Sequence, residues 1–169
     1  MRLEKILVAE AESEPMEPRE TVEAVEGGLA GDRYCTGRGY YSPFDVCEVT
    51  FVQAEALAEI RETTGIDLTD GRHRRNLVVR GGDVHDLLEC RFRLGAATFE
   101  GTRPRPPCRH VENVAGEASV ADALGDGRGG ICARVVDPGG LRVGDEIGDV
   151  EPTADFEGLV ERIRDRAGR

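Results

Sequence analysis

The sequence predicts a mainly β fold: a closed or partly closed β-barrel with a few short helices and a C-terminal amphipathic helix. Three observations lead there. About eight short apolar or alternating segments are set apart by turn residues, against one convincing long helix. Glycine is frequent, 22 residues in 169, as bent strands and tight turns require. Apolar residues make up 39% of the chain, enough for a core, but tryptophan is absent and aromatics are few. That core is therefore expected to rest on Val, Leu, Ile and Ala. A chain of this length fits one compact domain.

The elements follow in order. Arg2–Ala9 is strand-like, with Leu3, Ile6, Leu7 and Val8 as its apolar content. Residues 10–20 are acidic and contain proline, which predicts a loop. Thr21–Val25 reads as a strand ending at Gly27-Gly28. Cys47–Phe51 alternates, placing Cys47, Val49 and Phe51 on one face and Glu48 and Thr50 on the other. Gln53–Thr64 carries Ala54, Leu57 and Ala58 on one stripe and stops at Gly65, a helix. Short strands return at Asn76–Arg80, Arg91–Leu94, Thr98–Thr102 and Ile131–Val136, and Leu141–Val143 leads into the last. The irregular stretch 108–124 predicts one or two short helices or loops. After Pro152, Phe156, Leu159, Val160 and Ile163 fall at helical spacing. The expected division is a barrel domain over 1–150 and a helical tail over 151–169.

Charge narrows the function classes. The chain is acidic, with net charge −11, and Lys5 is its only lysine. Such a field repels phosphate backbones, so nonspecific binding of nucleic acid or an anionic membrane is not expected. No apolar run approaches the roughly 20 residues that cross a bilayer, and no signal peptide is visible, which predicts a cytoplasmic protein. The five cysteines, Cys35, Cys47, Cys90, Cys108 and Cys132, are odd in number and form no C-x-x-C pair. A disulfide framework and a structural zinc site are both disfavoured, and most of them read as small apolar fillers.

Four segments collect arginine, glycine and a polar or thiol group beyond what a core needs: residues 31–33, 72–76, 103–109 and 127–130. Three of them lie at strand ends, where barrels carry function. Guanidinium groups offer a fork of donors matched to phosphate and carboxylate, and glycine turns add backbone N–H groups. The pattern points to a compact anionic ligand bound against the field of the whole chain. Cys108 is the most informative residue. Pro106 and Pro107 keep its approach out of helix, and Arg105 and Arg109 flank it. Positive charge favours thiolate, the form that attacks electrophiles, carries sulfane sulfur or ligates a soft metal. His73 reads as a solvated loop residue, His85 has no partner pattern, and His110, two residues from Cys108, is at most an assistant to it.

These segments carry a family resemblance. Gly28-Leu29-Ala30-Gly31-Asp32-Arg33 resembles the GL-x-GD motif of MOSC domains, the molybdenum-cofactor sulfurase C-terminal type. Arg75-Asn76-Leu77-Val78-Val79-Arg80-Gly81 resembles their arginine–asparagine strand. Arg105-Pro106-Pro107-Cys108 matches the R-x-P-C signature that carries the family's cysteine. Gly127-Arg128-Gly129-Gly130 and 140–145 resemble its glycine-rich ending. The motifs are in the family's order and span about residues 25–147.

The resemblance implies a MOSC-like β-barrel and a molybdenum cofactor (molybdopterin). Cys108 would be the catalytic residue, as molybdenum ligand or as sulfur carrier. Arg33, Arg75, Asn76, Arg105, Arg128 and Gly129 would hold the cofactor. The expected activity is that of a reductase acting on N-hydroxylated or related small molecules; the alternative is a non-catalytic carrier holding a persulfide on Cys108 for a molybdoenzyme. Tyr34 stands where many members have histidine, which leaves a proton-transfer role at that position open. The sequence holds no pyridoxal-phosphate desulfurase domain and no iron–sulfur module. An external electron donor or a cysteine desulfurase, the latter bringing any pyridoxal phosphate, is therefore the expected partner.

Overall fold

The structure, a computed structural model, describes residues 1–38 and 47–153. Its central strands are buried on both faces, which is why their sequences run nearly continuously apolar. In β1 (Arg2–Val8), Leu3 and Ile6 join one apolar cluster while Leu7 joins another. In β5 (Val49–Gln53), Val49 and Phe51 face the first cluster and Val52 the second. In β6 (Leu77–Arg80), Leu77 and Val79 likewise oppose Val78.

Eight strands form one curled sheet, a half-barrel. The flanking strands are β2 (Glu17–Arg19), β7 (Cys90–Leu94), β8 (Ala97–Pro104), β9 (Ile131–Asp137) and β11 (Ile147–Pro152). Their order is β11-β7-β8-β9-β5-β6-β1-β2. A small second sheet has the order β10-β3-β4, from β3 (Thr21–Val25), β4 (Gly28–Leu29) and β10 (Gly139–Arg142). Pairing is antiparallel except between β5 and β6, where Phe51 lies opposite Leu77 in parallel register. The crossover that a parallel pair requires is α1 (Ala54–Thr64), which buries Ala54, Ala56, Leu57 and Ile60 and stops at Gly65 in the left-handed region, φ 77°. Two short helices, α2 (Arg109–Ala115) and α3 (Val120–Ala123), cover the same side through Val111, Val120 and Leu124.

Several expectations need amending. Thr50 does not face outward: it is fully buried, and its hydroxyl both donates to Asn76 Oδ1 at 2.8 Å and accepts from the Asn76 N–H at 2.9 Å. The strand is central, so neither face meets water. The acidic loop contains β2, an edge strand whose residues are all exposed, which gives it no alternation to read. The core is not purely aliphatic. Phe51 meets Phe92 and Phe99 edge-on, at centroid distances of 5.5 and 5.6 Å, at the centre of the curl. The last strand continues through Pro152, and the expected tail helix, with Phe156, Leu159, Val160 and Ile163, lies outside the described residues.

Candidate functional site

The four arginine- and glycine-bearing segments meet at one end of the sheet. The Arg33 N–H donates to Ala9 O, at the end of β1, at 2.7 Å. The Arg105 N–H donates to Gly130 O at 2.8 Å, tying the exit of β8 to the start of β9. Gly129 and Gly130 are needed for this approach. A Cβ on Gly129 would stand 2.3 Å from Arg105 O, and one on Gly130 only 1.9 Å from Phe51 O.

Asp32 organises the cluster. Fully buried, its Oδ1 accepts from Ala9 N at 3.1 Å, Arg33 Nη1 at 3.1 Å and Asn76 Nδ2 at 3.0 Å, and its Oδ2 accepts from Tyr34 N at 3.1 Å. Arg33, buried beside it, sends Nη2 to Arg74 O at 2.9 Å and lies 4.6 Å over the Tyr34 ring. Arg105 donates from Nη2 to the Tyr34 hydroxyl at 2.8 Å. Arg74, in the left-handed region at φ 64°, donates to the carbonyls of Glu12 at 2.7 Å and of Glu14, fastening the acidic loop.

Arg75 is the most constrained of these cations. It is 3% exposed, and it donates from Nε to Gly129 O and from Nη1 to His73 O, both at 2.7 Å. Its Nη2 is buried with no hydrogen-bond partner among the described residues. Burial, with Arg105 nearby, pushes its pKa down to about 10. Burial and Arg33 do the same to Arg74, also to about 10. A buried donor left without an acceptor costs free energy, so this wall is better suited to an anion than to water-free emptiness.

These arginines line a hollow of about 30 Å³ together with Glu12, Tyr34, Pro106, His110 and the half-buried Cys108. The Cys108 backbone is extended, φ −135° and ψ 159°, and immediately precedes α2, while Pro106 and Pro107 keep the residues before it out of helix. Cys47 and Cys132 are buried in the interior. Cys35 is half-buried, and burial followed by the charges of Asp32 and Glu48 pushes its thiol pKa up.

The sequence-derived residues thus divide into three groups. Arg33, Arg75, Arg105 and Cys108 come together around the hollow. Asn76 and Gly129 stand behind it. All four Asn76 amide contacts are internal, to Leu7 O, Asp32 and Thr50, while Gly129 supplies the carbonyl that aims Arg75. Arg128 is elsewhere, donating to Gly125 O at 3.1 Å and lying 3.6 Å from Glu59 and 3.5 Å from Asp126. Arg74, Asp32 and Tyr34 join the site without having been singled out as ligand-binding. Within 72–75 no sequence signal separates buried Arg74 from half-exposed Arg72, whose fork is taken by Asp70 and Glu117. His73 is not solvated: it is fully buried, and burial with Arg75, Lys5, Arg74 and Arg33 around it pushes its pKa down to about 3.

A curled β half-barrel thus carries a half-buried thiol and several buried arginines around one hollow. The family model for the MOSC domain matches residues 44–148, and the chain belongs to that family. Among solved structures, the YuaD protein of Bacillus subtilis superposes with a TM-score of 0.71 at 21% identity, over 86% of this chain and 93% of that one. YiiM of Geobacillus stearothermophilus gives 0.65 at 17% identity, over 85% and 71% of the two chains. YiiM of Escherichia coli gives 0.63 at 20%, over 88% and 70%. No curated protein matches the sequence. At these identities the structural likeness shows the shared fold. Among the described residues no helix is long and apolar enough to cross a membrane.

Proposed function

We propose that this chain binds a molybdenum pterin cofactor at the arginine-lined hollow, with Cys108 as its ligand to the metal, and acts as a reductase of N-hydroxylated or related small molecules. The observation that carries this reading is that Arg75, whose buried Nη2 has no hydrogen-bond partner among the described residues, lines the same hollow as Cys108. The donor set fits the anionic, sulfur-bearing end of such a group: one soft ligand, and forked cations for oxyanions. Among the described residues no group of three or more His, Cys, Asp or Glu side chains could hold a bare ion, so a metal at Cys108 has to bring its other ligands with it. When bound, the cofactor would supply the two-electron chemistry, with electrons drawn from an external donor.

The chain's own contribution is positional. Cys108 offers Sγ from the N-cap of α2, at the end of an approach stiffened by Pro106 and Pro107. Arg75 and Arg105 present positive charge where water is largely excluded, which strengthens each contact with an anion. Tyr34 accepts from Arg105, so its own O–H is directed away from that guanidinium and can donate to a bound group. The test is molybdenum content of protein expressed with cofactor synthesis intact, beside Cys108→Ser. Metal in the wild type and its loss in a folded variant is the expected result; equal content in both refutes the assignment.

A second reading is favoured by size. About 30 Å³ holds a single sulfur atom beyond Sγ but does not enclose a pterin. In that reading the Cys108 thiolate attacks the terminal sulfur of a desulfurase persulfide, a new S–S bond forms, and the donor thiolate leaves. Cyanide-releasable sulfur on Cys108 without bound molybdenum identifies this case.

A further inference from the structure

On the far side of the sheet from the Phe51 cluster, a groove of about 480 Å³ runs between α1 and the strands β1 and β6. That volume is within the roughly 300–1,000 Å³ typical of small-molecule sites. Its walls are apolar, from Ala54, Leu57 and Ala58 of the helix and Val78 of β6. The helix starts where Glu55 Oε1 accepts from the Gly81 N–H at 2.9 Å and runs back toward Asp67, which lies 3.7 Å from Arg61. Its last turn therefore reaches the end of the groove at which Lys5 donates to Thr69 O at 2.9 Å.

His73 lines the same groove. Its Nδ1 accepts the Arg75 N–H at 2.9 Å, so in the neutral ring the proton resides on Nε2. That Nε2 is buried and has no hydrogen-bond partner among the described residues. Lys5, close enough to His73 to disfavour its protonation, donates to the Thr69 carbonyl and has no carboxylate partner among the described residues. Of the two rim carboxylates, Glu4 is taken up by Arg80 at 2.5 and 3.3 Å and Glu62 is exposed to water. An apolar groove on a strongly acidic chain thus keeps one buried N–H and one ammonium without acidic partners.

We infer that this groove is a binding site for a small carboxylic acid with an apolar body, its carboxylate accepting from His73 Nε2–H and lying by Lys5. The site is separate from the Cys108 hollow, although the ring that would contact the ligand also anchors the Arg75 backbone. Octanoate serves as the test ligand and octanol as its uncharged counterpart, titrated into ¹⁵N-labelled protein while the His73 Nε2–H resonance is followed. Octanoate is expected to move that proton downfield and to bind more tightly than octanol. Lys5→Gln, an exposed change, should weaken octanoate about fivefold. Ala58→Trp, on the exposed face of the helix, should fill the groove and abolish the shift. An unmoved His73 resonance, octanol matching octanoate, or undiminished binding by folded Ala58→Trp would overturn the assignment.

Discussion

Replacing Arg75 with methionine separates a ligand-binding cation from a structural strut. Burial lowers the pKa of this guanidinium from 12.5 to about 10, so keeping it charged in the fold costs about 3 kcal/mol. Against that stand two charge-assisted bonds of 2.7 Å, to Gly129 O and His73 O, worth about 1.5–3 kcal/mol each. The bonds exceed that cost by at most about 3 kcal/mol, and methionine refills much of the volume. Arg75→Met should therefore lose no more than about 3 kcal/mol of stability. Anion affinity behaves differently, because the unpartnered Nη2 contributes nothing until an acceptor arrives. Its loss should weaken an oxyanion by roughly tenfold to a hundredfold. Urea unfolding at neutral pH, with phosphate against chloride at equal ionic strength, reads both quantities. The wild type should gain stability from phosphate, and the variant should gain little. A variant that unfolds outright, or that responds to phosphate as the wild type does, would refute the reasoning.

His73 should stay neutral far into acid. A base whose folded pKa, about 3, lies below its unfolded value of 6.5 binds fewer protons when folded between those limits. Its contribution to stability is complete above pH 6.5 and is lost at about 1.4 kcal/mol per pH unit below it; an NMR titration with a midpoint near 6.5 would contradict this. Arg128→Ala should leave phosphate or molybdenum binding unchanged and stability within about 0.5 kcal/mol, since its partners Glu59 and Asp126 are exposed. Gly130→Ala, forcing Cβ to 1.9 Å from Phe51 O at φ 80°, should cost more than about 4 kcal/mol, whereas Gly31→Ala, with nothing within 4 Å, should cost about 1–2 by thermal unfolding. Tyr34→Phe should keep the ring under Arg33 and the fold intact, while lowering anion affinity about threefold to tenfold through the displaced Arg105.

The strands and α1 were legible because their signals are local. Val49–Phe51, Leu77–Val79 and the Gly65 stop each encode their state within a few residues. Burial on the second face was not legible: Thr50 reads as an outward polar residue, and only pairing with β6 and the Asn76 side chain shows otherwise. The same limit applies at the site. Cys108 with its prolines and arginines declares itself, and Arg33, Arg75 and Arg105 follow from their motifs. Asn76 and Arg128 fit the motifs equally well, yet one spends every amide contact on the scaffold and the other pairs with acids beyond the hollow. Side-chain direction at the end of a strand is decided by tertiary contacts that spacing does not carry. Arg74 illustrates this, because a left-handed backbone turns it away from its neighbours Arg72 and Arg75 and onto the acidic loop.

The proposed site sets an anion against a chain of net charge −11, and the two are compatible only if the local field differs from the field of the whole molecule. At the surface, its acids act through water and salt and are weakened beyond about 8–10 Å. Inside the hollow the opposing charges are few and close, and water does little to screen them. Asp32, the one buried carboxylate there, has its oxygens occupied by Ala9 N, Arg33, Asn76 and Tyr34 N, so it fixes the arginines without offering a lone charge to repel a ligand. Arg33, Arg74, Arg75 and Arg105 outnumber it four to one among the buried ionised groups lining or backing the hollow. Burial first, and then the neighbouring cations Arg33 and Arg105, lower the pKa values of Arg74 and Arg75, so the repulsion of like charges adds to the cost of desolvation. An anion bound as proposed would relieve that repulsion as well as satisfy Nη2. The acidic exterior would slow the approach of such a ligand, while the local field would govern how long it stays.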